Sequence, residues 1–572
     1  MIQIAHNAVN ATLIGAPKEA LLEVHRLLSY RVAGSEHMPS FGSSGWDGRS
    51  SFFNYEKTNF PTGFVRLISQ GLKKLGHDIQ IVSKPLPAPL GPERPAVDAF
   101  GYVERYDYQA AAMDAVVRHG NVIVQVATGG GKSRICRMVY KRINRKTLFL
   151  TTRAILMHQM KGAVEDMGEE VAVLGDGDWG IPYKKADGTK GRRITQFVVG
   201  MVQTLAQRLE VITVEGSMLA LQARRQKERA KALEELRSKL RAEKMPFPDI
   251  GDAVNKLNAS IALGWPDAEV DRKKFEVKVE KHERLRLATI EILAKFELVV
   301  VEEAHEVSGN GFYDVMCACT GANYRMALTA TPFMKDDEEA NMKLLATCGP
   351  VAIKISEELL ISRGILATPY FKILKLSEAH RPKDLYRTTS YARAYGLGIV
   401  NHEYRNKLVI AEVLRARQYG LNVLVLVNHT AHGRLLEEMM TSARLKAEFV
   451  SGESSQKVRQ DALRRLSSGE LDVVIGSTIF DVGVDVPSLG MVVLAGGGKA
   501  EVAMRQRIGR CLREKKSGPN VSFIIDIYDE LNNHLKGHSA ERQEVIKTTP
   551  GFSTNIVRDF DYVGLGLTKL AA

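Results

Sequence analysis

Three stretches of the chain hold the residue types that phosphate chemistry needs. The first is Ala127-Thr128-Gly129-Gly130-Gly131-Lys132-Ser133, between an apolar run at 121–126 and an amphipathic one at 133–143. Glycines let successive backbone N–H groups converge on a phosphate with no Cβ in the way, and the N-terminus of a following helix adds partial positive charge. Lys132 can then reach the β- and γ-phosphates and Ser133 can ligate Mg²⁺, so the stretch reads as a site for a nucleoside triphosphate. The stricter form of this loop has glycine six residues before the lysine, where this chain has Val126.

The second stretch, "LVVVEEAH" at 298–305, is an apolar run ending in two carboxylates and a histidine. Glu302 is placed to help hold Mg²⁺ and Glu303 to polarise an attacking water, with His305 linking them to the rest of the chain. "ALTATP" at 327–332 follows, with Thr329 and Thr331 able to carry hydroxyls between strands. The third stretch, "QRIGRCLR" at 506–513, has arginines at 507, 510 and 513, which a helix would set along one face. Arginine is suited to stabilising charge on a transferring phosphoryl group.

Elements must position these residues. "NVIVQV" at 121–126 reads as a short buried strand and 133–143 as a helix; similar strand–helix alternation continues, which predicts α/β domains built on parallel sheets. The 572 residues are too many for one core. A formal net charge of +13 favours a polyanionic partner, nucleic acid before an anionic membrane surface. The five cysteines suggest no disulfide framework and fit a reducing, cytoplasmic setting. No signal peptide and no apolar run long enough to span a bilayer is apparent, so no membrane partner is expected.

Taken in order, ATGGGKS, TTRAILMHQ, VEEAH, LTATP, STIFDVGVDVP and QRIGRCLR resemble the motif series of superfamily 2 helicases, over about residues 100–530. Residues 28–64, with Trp46-Asp47-Gly48-Arg49, Tyr55 and Phe60, resemble the N-terminal DNA-binding domain of UvsW-type phage recombination helicases, which have XPB-like and RecG-like relatives. The resemblance implies two RecA-like domains with ATP and Mg²⁺ between them and DNA across their top. It implies that Gln109 reads adenine with Tyr106 or Tyr108 near the base. It assigns Thr128, Gly129, Gly130, Gly131, Lys132 and Ser133 to the phosphates, Ser133 and Glu302 to the metal, and Glu303 to the water. Arg510 and Arg513 match arginine fingers, and Gly483 and Asp485 match a segment that senses nucleotide across the cleft. Thr152, Arg153, Gln203, Thr204 and Thr478 match contacts to the DNA backbone, Trp46 and Arg49 belong to the N-terminal DNA-binding segment, and Thr329 and Thr331 couple ATP state to grip. The family usually has aspartate where Glu302 stands, and Arg105 is offset from the family's arginine and receives no role.

The expected domains are 1–90, a small α+β DNA-binding unit; 91–350, the first motor domain; 351–400, a hinge region around "SRGILATP"; 401–535, the second motor domain; and 536–572, an unassigned tail. The proline-rich "KPLPAPLGPERP" at 84–95 reads as a linker. Residues 210–295 form a long charged insertion read as two antiparallel helices, ended after the first by Pro246 and Pro248, and a candidate arm for DNA or a protein partner. The resulting expectation is an ATP-dependent DNA helicase that unwinds or branch-migrates forked and recombination DNA, in recombination, repair or replication within a phage-infected cell or nucleoid. A double-stranded DNA translocase that does not separate strands, an RNA-remodelling ATPase and a non-catalytic binding protein are the alternatives.

Overall fold

Short runs of β-branched and large apolar residues, buried on both faces in the inner strands, build the two central sheets; such continuous runs are what parallel strands covered by helices require. The computed structural model describes residues 1–570 apart from 33, 39, 42–44, 185–187, 264, 266–267, 307–308, 334–336, 478–488, 499–503, 506–507, 510 and 516.

The first lobe holds an eight-stranded sheet in the order Asp178–Trp179, Val171–Gly175, Phe197–Met201, Thr147–Thr151, Leu298–Glu302, Tyr324–Thr329, Asn121–Val126, Val351–Ile355. Every neighbour pair is parallel except the first. The carboxyl ends of the seven parallel strands therefore share one edge, and Val126, Thr151, Met201, Glu302 and Thr329 are the last strand residues there. Ligands of open α/β sheets gather along this edge.

The second lobe holds a seven-stranded, all-parallel sheet in the order Ala447–Val450, Val473–Gly476, Val423–Leu426, Met491–Leu494, Val521–Asp529, Thr368–Leu376, Ile556–Val557. Three expected boundaries change here. Strand Val351–Ile355 belongs to the first sheet and Thr368–Leu376 to the second, so the connection between sheets is 356–367 rather than 351–400. The second lobe thus starts well before 401. Its strand Thr368–Leu376 carries Pro369, which cannot donate a ladder hydrogen bond and so masked the strand in the sequence. The tail also belongs to this lobe: helix Asn533–Thr548 packs on strand Val521–Asp529, and Phe560 and Tyr562 are buried in the second core.

The insertion contains three helices, Val214–Ala242, Phe247–Leu263 and Ala268–Leu293, where two were expected. Pro248 is the second residue of the middle helix, a first-turn position where a missing N–H costs nothing, so the prolines start a helix as well as end one. Leu233, Leu236 and Leu240 meet Ile250 and Val254 in a small core of the arm's own. Among the described residues no helix is long and apolar enough to cross a membrane.

Residues 1–83 form an α+β unit. Its sheet, Asn59–Pro61, Asn10–Ile14, Ile2–His6, Ile79–Ser83, is covered by helices Lys18–Leu27 and Val65–Lys74. This unit is docked on the first lobe: its core is continuous with Ala346, Phe52 meets Tyr313 at 5.6 Å, and the Arg31 amide donates to Glu338 at 2.8 Å. The proline-rich stretch that follows is pinned along the first lobe, with Leu90 N–H donating to Ile143 O (3.1 Å) and Tyr324 hydroxyl to Pro87 O (2.6 Å). The tightest point of the docking is Gly63, where a Cβ would lie 2.0 Å from Leu345 O and 2.5 Å from Ala346 O. Backbone cannot yield as a side-chain tip can, so Gly63→Ala is expected to lower stability by about 1–3 kcal/mol and to undock the N-terminal unit. Thermal unfolding together with limited proteolysis between 84 and 95 measures this; unchanged melting and cleavage would contradict the docking.

Candidate nucleotide cleft and nucleic-acid face

Strand Asn121–Val126 feeds the glycine turn, and helix Lys132–Ile143 leaves it. Gly129 (φ 89°) and Gly131 (φ 85°) hold left-handed backbone that favours glycine. A Cβ on Gly131 would also meet Gln109 Nε2 at 2.3 Å. The loop is braced from behind: Tyr108 hydroxyl and Gln109 Nε2 both donate to Gly130 O at 3.1 Å, and Arg134 Nη1 donates to Gln109 Oε1 at 2.5 Å. Arg134 is fixed in turn by Asp98, with Nε donating to Oδ2 at 2.7 Å. Tyr108 and Gln109 are therefore buried supports of the phosphate loop.

The cleft has a volume of about 600 Å³ and is lined from both lobes, within the usual range for a small-molecule site. The first lobe contributes Thr128, Gly129, Gly131, Lys132, Ser133, Glu302 and Glu303. Ile365 and Leu366 of the connection and Arg513 and Glu514 of the second lobe close it. The contact between lobes is close. A Cβ on Gly509 would lie 2.7 Å from Thr128 Cβ, and one on Gly129 would lie 2.7 Å from Leu366 Cδ2. Ala367 N–H donates to Leu512 O at 2.6 Å, which ties the connection to the arginine segment. Arg510, Thr478, Gly483 and Asp485 lie outside the described residues.

Successive strand residues point to opposite faces, so Glu302 and Glu303 would ordinarily diverge. Glu303 instead adopts φ 48°, a left-handed conformation that costs a non-glycine residue about 1 kcal/mol and turns both carboxyls into one cleft. Glu303 is ion-paired with Lys132. Burial pushes its carboxyl up, but Lys132 and His305 more than offset this and hold it below the usual carboxylate range. Its other oxygen, Oε2, is buried 3.5 Å from His305 Nδ1 and makes no hydrogen bond among the described residues. Burial pushes Glu302 up to about 7, with Lys132 opposing and Glu303 adding to the rise. Two buried acids beside one lysine are short of positive charge, and with the Ser133 hydroxyl nearby they fit a Mg²⁺ ion carried on a triphosphate. Burial lowers Arg513 below the usual guanidinium range.

A chain of polar contacts runs from this cleft along the carboxyl edge. His305, buried and pulled below its ordinary pKa mainly by desolvation, places Nδ1 2.9 Å from Thr329 Oγ1. Thr331 N–H donates to that same hydroxyl oxygen at 3.2 Å. One residue beyond His305, Glu306 accepts from Thr152 Oγ1 at 2.7 Å and from Arg153 Nε at 2.9 Å. Gln203 Nε2 donates to Thr152 O at 3.1 Å, and Thr204, the next residue of helix Val202–Leu209, is half-buried. Glu306 was not singled out in the sequence; its only signal was its place directly after the EEAH run. In the N-terminal unit, Trp46 indole N–H donates to Arg49 O at 2.6 Å and Arg49 Nη2 to Ser29 O at 3.0 Å, so both side chains brace the hairpin Ser29–Arg31/Arg49–Ser51.

Arg105 has a defined place. It donates to Gly364 O at 2.6 Å and pairs with Glu514 at 2.8 Å, while Arg363 reaches back to Glu104 O at 3.1 Å. These crossed arginines clasp the first lobe to the connection and, through Glu514, to the second lobe beside the cleft.

The folded state holds Glu302's proton between its ordinary value of 4.5 and about 7, so stability falls as pH rises through that window and is flat above it. Glu302→Gln is therefore expected to match the parent near pH 4.5 and to exceed it by about 3 kcal/mol at pH 8. Denaturation midpoints across that range measure this; a parent more stable than the variant at pH 8 would contradict the assignment.

Two family descriptions match the chain: "Type III restriction enzyme, res subunit" over residues 102–334 and "Helicase conserved C-terminal domain" over 405–515. A protein of Sulfolobus islandicus filamentous virus named as a helicase is 23% identical over 53% of this chain and 54% of its own. The DNA 3'-5' translocase XPB2 of Sulfurisphaera tokodaii is 27% identical over 39% of this chain and 56% of its own. The ATP-dependent DNA helicase uvsW of Enterobacteria phage T4 is 22% identical over 45% and 50%. The chain thus spans about half the length of these relatives. The crystal structure of T4 UvsW aligns over 97% of this chain and 98% of that one, at 17% identity and a TM-score of 0.41.

Proposed function

Because the chain belongs to the superfamily 2 helicases, we propose that it is an ATP-driven motor that pulls DNA strands across its carboxyl-edge face, unwinding or branch-migrating forked and recombination intermediates. The observation that carries this reading is a single cleft lined by Lys132, Ser133 and two acids from one lobe and by Arg513 from the other.

The chemistry follows from those residues. A γ-phosphate entering the cleft takes over Lys132 from Glu303. Glu303, released and already held as a carboxylate, accepts the proton of the attacking water. Arg513 crosses the crevice to stabilise charge on the γ-phosphoryl group, and Arg510 is assigned the same part. Mg²⁺, when bound by Ser133 and Glu302, would neutralise charge on the phosphate oxygens. The longer Glu302 side chain, in place of aspartate, reaches the same cleft. Loss of the γ-phosphate removes the bridge between lobes and lets them part.

The grip is read on the same edge. Thr152, Arg153 and Gln203 at the strand ends of the first lobe, and the turn at 451–455 in the second, would hold backbone phosphates, so each cycle shifts one grip against the other. Phosphate gripping is largely sequence-independent and weakens with salt. Glu306 holds Thr152 and Arg153 and connects through its neighbour His305 to the cleft, which supports coupling between nucleotide and grip.

The test is ATP turnover and strand displacement on a fork, a four-way junction, plain duplex DNA and duplex RNA. DNA-stimulated turnover with displacement on the branched substrates is expected, together with at least about a hundredfold loss of turnover in Lys132→Ala. Turnover on duplex DNA with no displacement on any substrate would replace unwinding by translocation. Stimulation by RNA alone would overturn the DNA reading, and unchanged turnover in Lys132→Ala would overturn the motor itself.

A further inference from the structure

We propose that the carboxyl edge of the second sheet carries a strip of aromatic and imidazole rings that stacks the bases of a single DNA strand; the proposal rests on the motor reading above. Three separate stretches assemble the strip. His429 follows strand Val423–Leu426, and its ring lies 4.4 Å from Tyr395. Tyr395 lies 5.9 Å from Tyr391, and Tyr391 lies 5.0 Å from His538 and 6.1 Å from His534 on helix Asn533–Thr548. The strip thus runs from the strand end beside the presumed backbone grip across the ends of the neighbouring strands.

Its foundation is rigid. Tyr395 is buried, and its hydroxyl donates to Gly496 O at 2.6 Å, at the carboxyl end of strand Met491–Leu494. Asn532 Nδ2 donates to the carbonyls of Tyr386 (2.9 Å) and Thr389 (3.0 Å), pinning the loop that leads into Tyr391. Helix Tyr391–Tyr395 then widens into a π-helical turn, Gly396–Val400, a local irregularity that recurs at functional sites.

The rings above this foundation are not core. Tyr391 is 40% exposed and Tyr386 64%, and His429 and His534 are exposed. Around Tyr391 every ring pair is edge-to-face, at 61° to 68°, so face-to-face stacking remains available to another planar group. Arg393 and Lys536 are exposed on the same two helices and supply positive charge for a phosphodiester chain. Exposed rings interleaved with cations are what a strand with unstacked bases requires, and the recognition is indifferent to sequence because every base has a π-face. Backbone gripping alone gives no use for the rings.

The experiment compares an oligothymidylate with an abasic strand of equal length and charge, by fluorescence anisotropy on the full chain. The unaltered protein should bind the oligothymidylate about tenfold more tightly. Tyr391→Ala with His534→Ala should bring that affinity down to the abasic value and leave the abasic affinity as it was, while Tyr391→Phe should retain the preference. Equal binding of both strands by the unaltered protein, or an equal loss on both in the double variant, would overturn the strip and leave the rings to packing or to a protein partner. DNA-stimulated ATP turnover, measured alongside, separates the two readings. Base-independent binding with stimulated turnover intact removes the strip alone. Absence of stimulated turnover removes the motor while leaving base-dependent binding standing.

Discussion

The pairing of Lys132 with Glu303 is the constraint on which the rest depends. It brings together the end of the phosphate-loop strand and the end of a strand two places away in the same sheet. It needs Glu303 in a left-handed conformation that strand geometry alone would not give. That strain is held because the flanking residues are fixed: Glu302 is buried at the strand end, and His305 is buried against Thr329. In the proposed mechanism this arrangement stores the base beside the cation that would bind the phosphate, so the group that binds and the group that reacts would be released by the same event.

In the proposed mechanism the second lobe completes what the first would not do alone. Lys132 and two carboxylates carry no net positive charge, and a triphosphate brings several negative ones. In that mechanism Arg513, which lines the cleft from across the crevice, would supply the missing cation, on a segment whose Gly509 packs directly on Thr128. A side chain at 509 would hold the lobes apart. The Arg105–Glu514 and Arg363–Glu104 clasps fix the neighbouring end of the crevice. Closure in the proposed mechanism would be a rotation about this pinned edge rather than a docking of two free bodies.

Much of this was legible because it is local. The glycine turn, the Lys-Ser pair and the apolar runs at 121–126 and 298–302 announce themselves through backbone freedom and burial within a dozen residues, and the structure forms those strands. What escaped the sequence depends on distant partners. Pro369 hid a strand whose ladder is supplied by Val521–Asp529. Pro248 begins the middle helix of the arm although it reads as a terminator. Phe560 and Tyr562 lie in a tail that the sequence leaves unassigned until the second core receives them. Glu306 gains meaning only when Thr152 and Arg153 arrive from another strand end, and Gln109 turns out to brace the loop because Arg134 and Gly130 occupy its amide.

The central claim is that both lobes act on one triphosphate, and Arg513→Ala examines it most directly. Nucleotide affinity and single-turnover hydrolysis are measured on the same DNA-bound protein. The account predicts binding within a few-fold of the parent, since the phosphate loop is intact, and a rate lower by about a hundredfold or more. Hydrolysis at the parental rate would mean that the second lobe stands outside the reaction, and the shared cleft would lose its function.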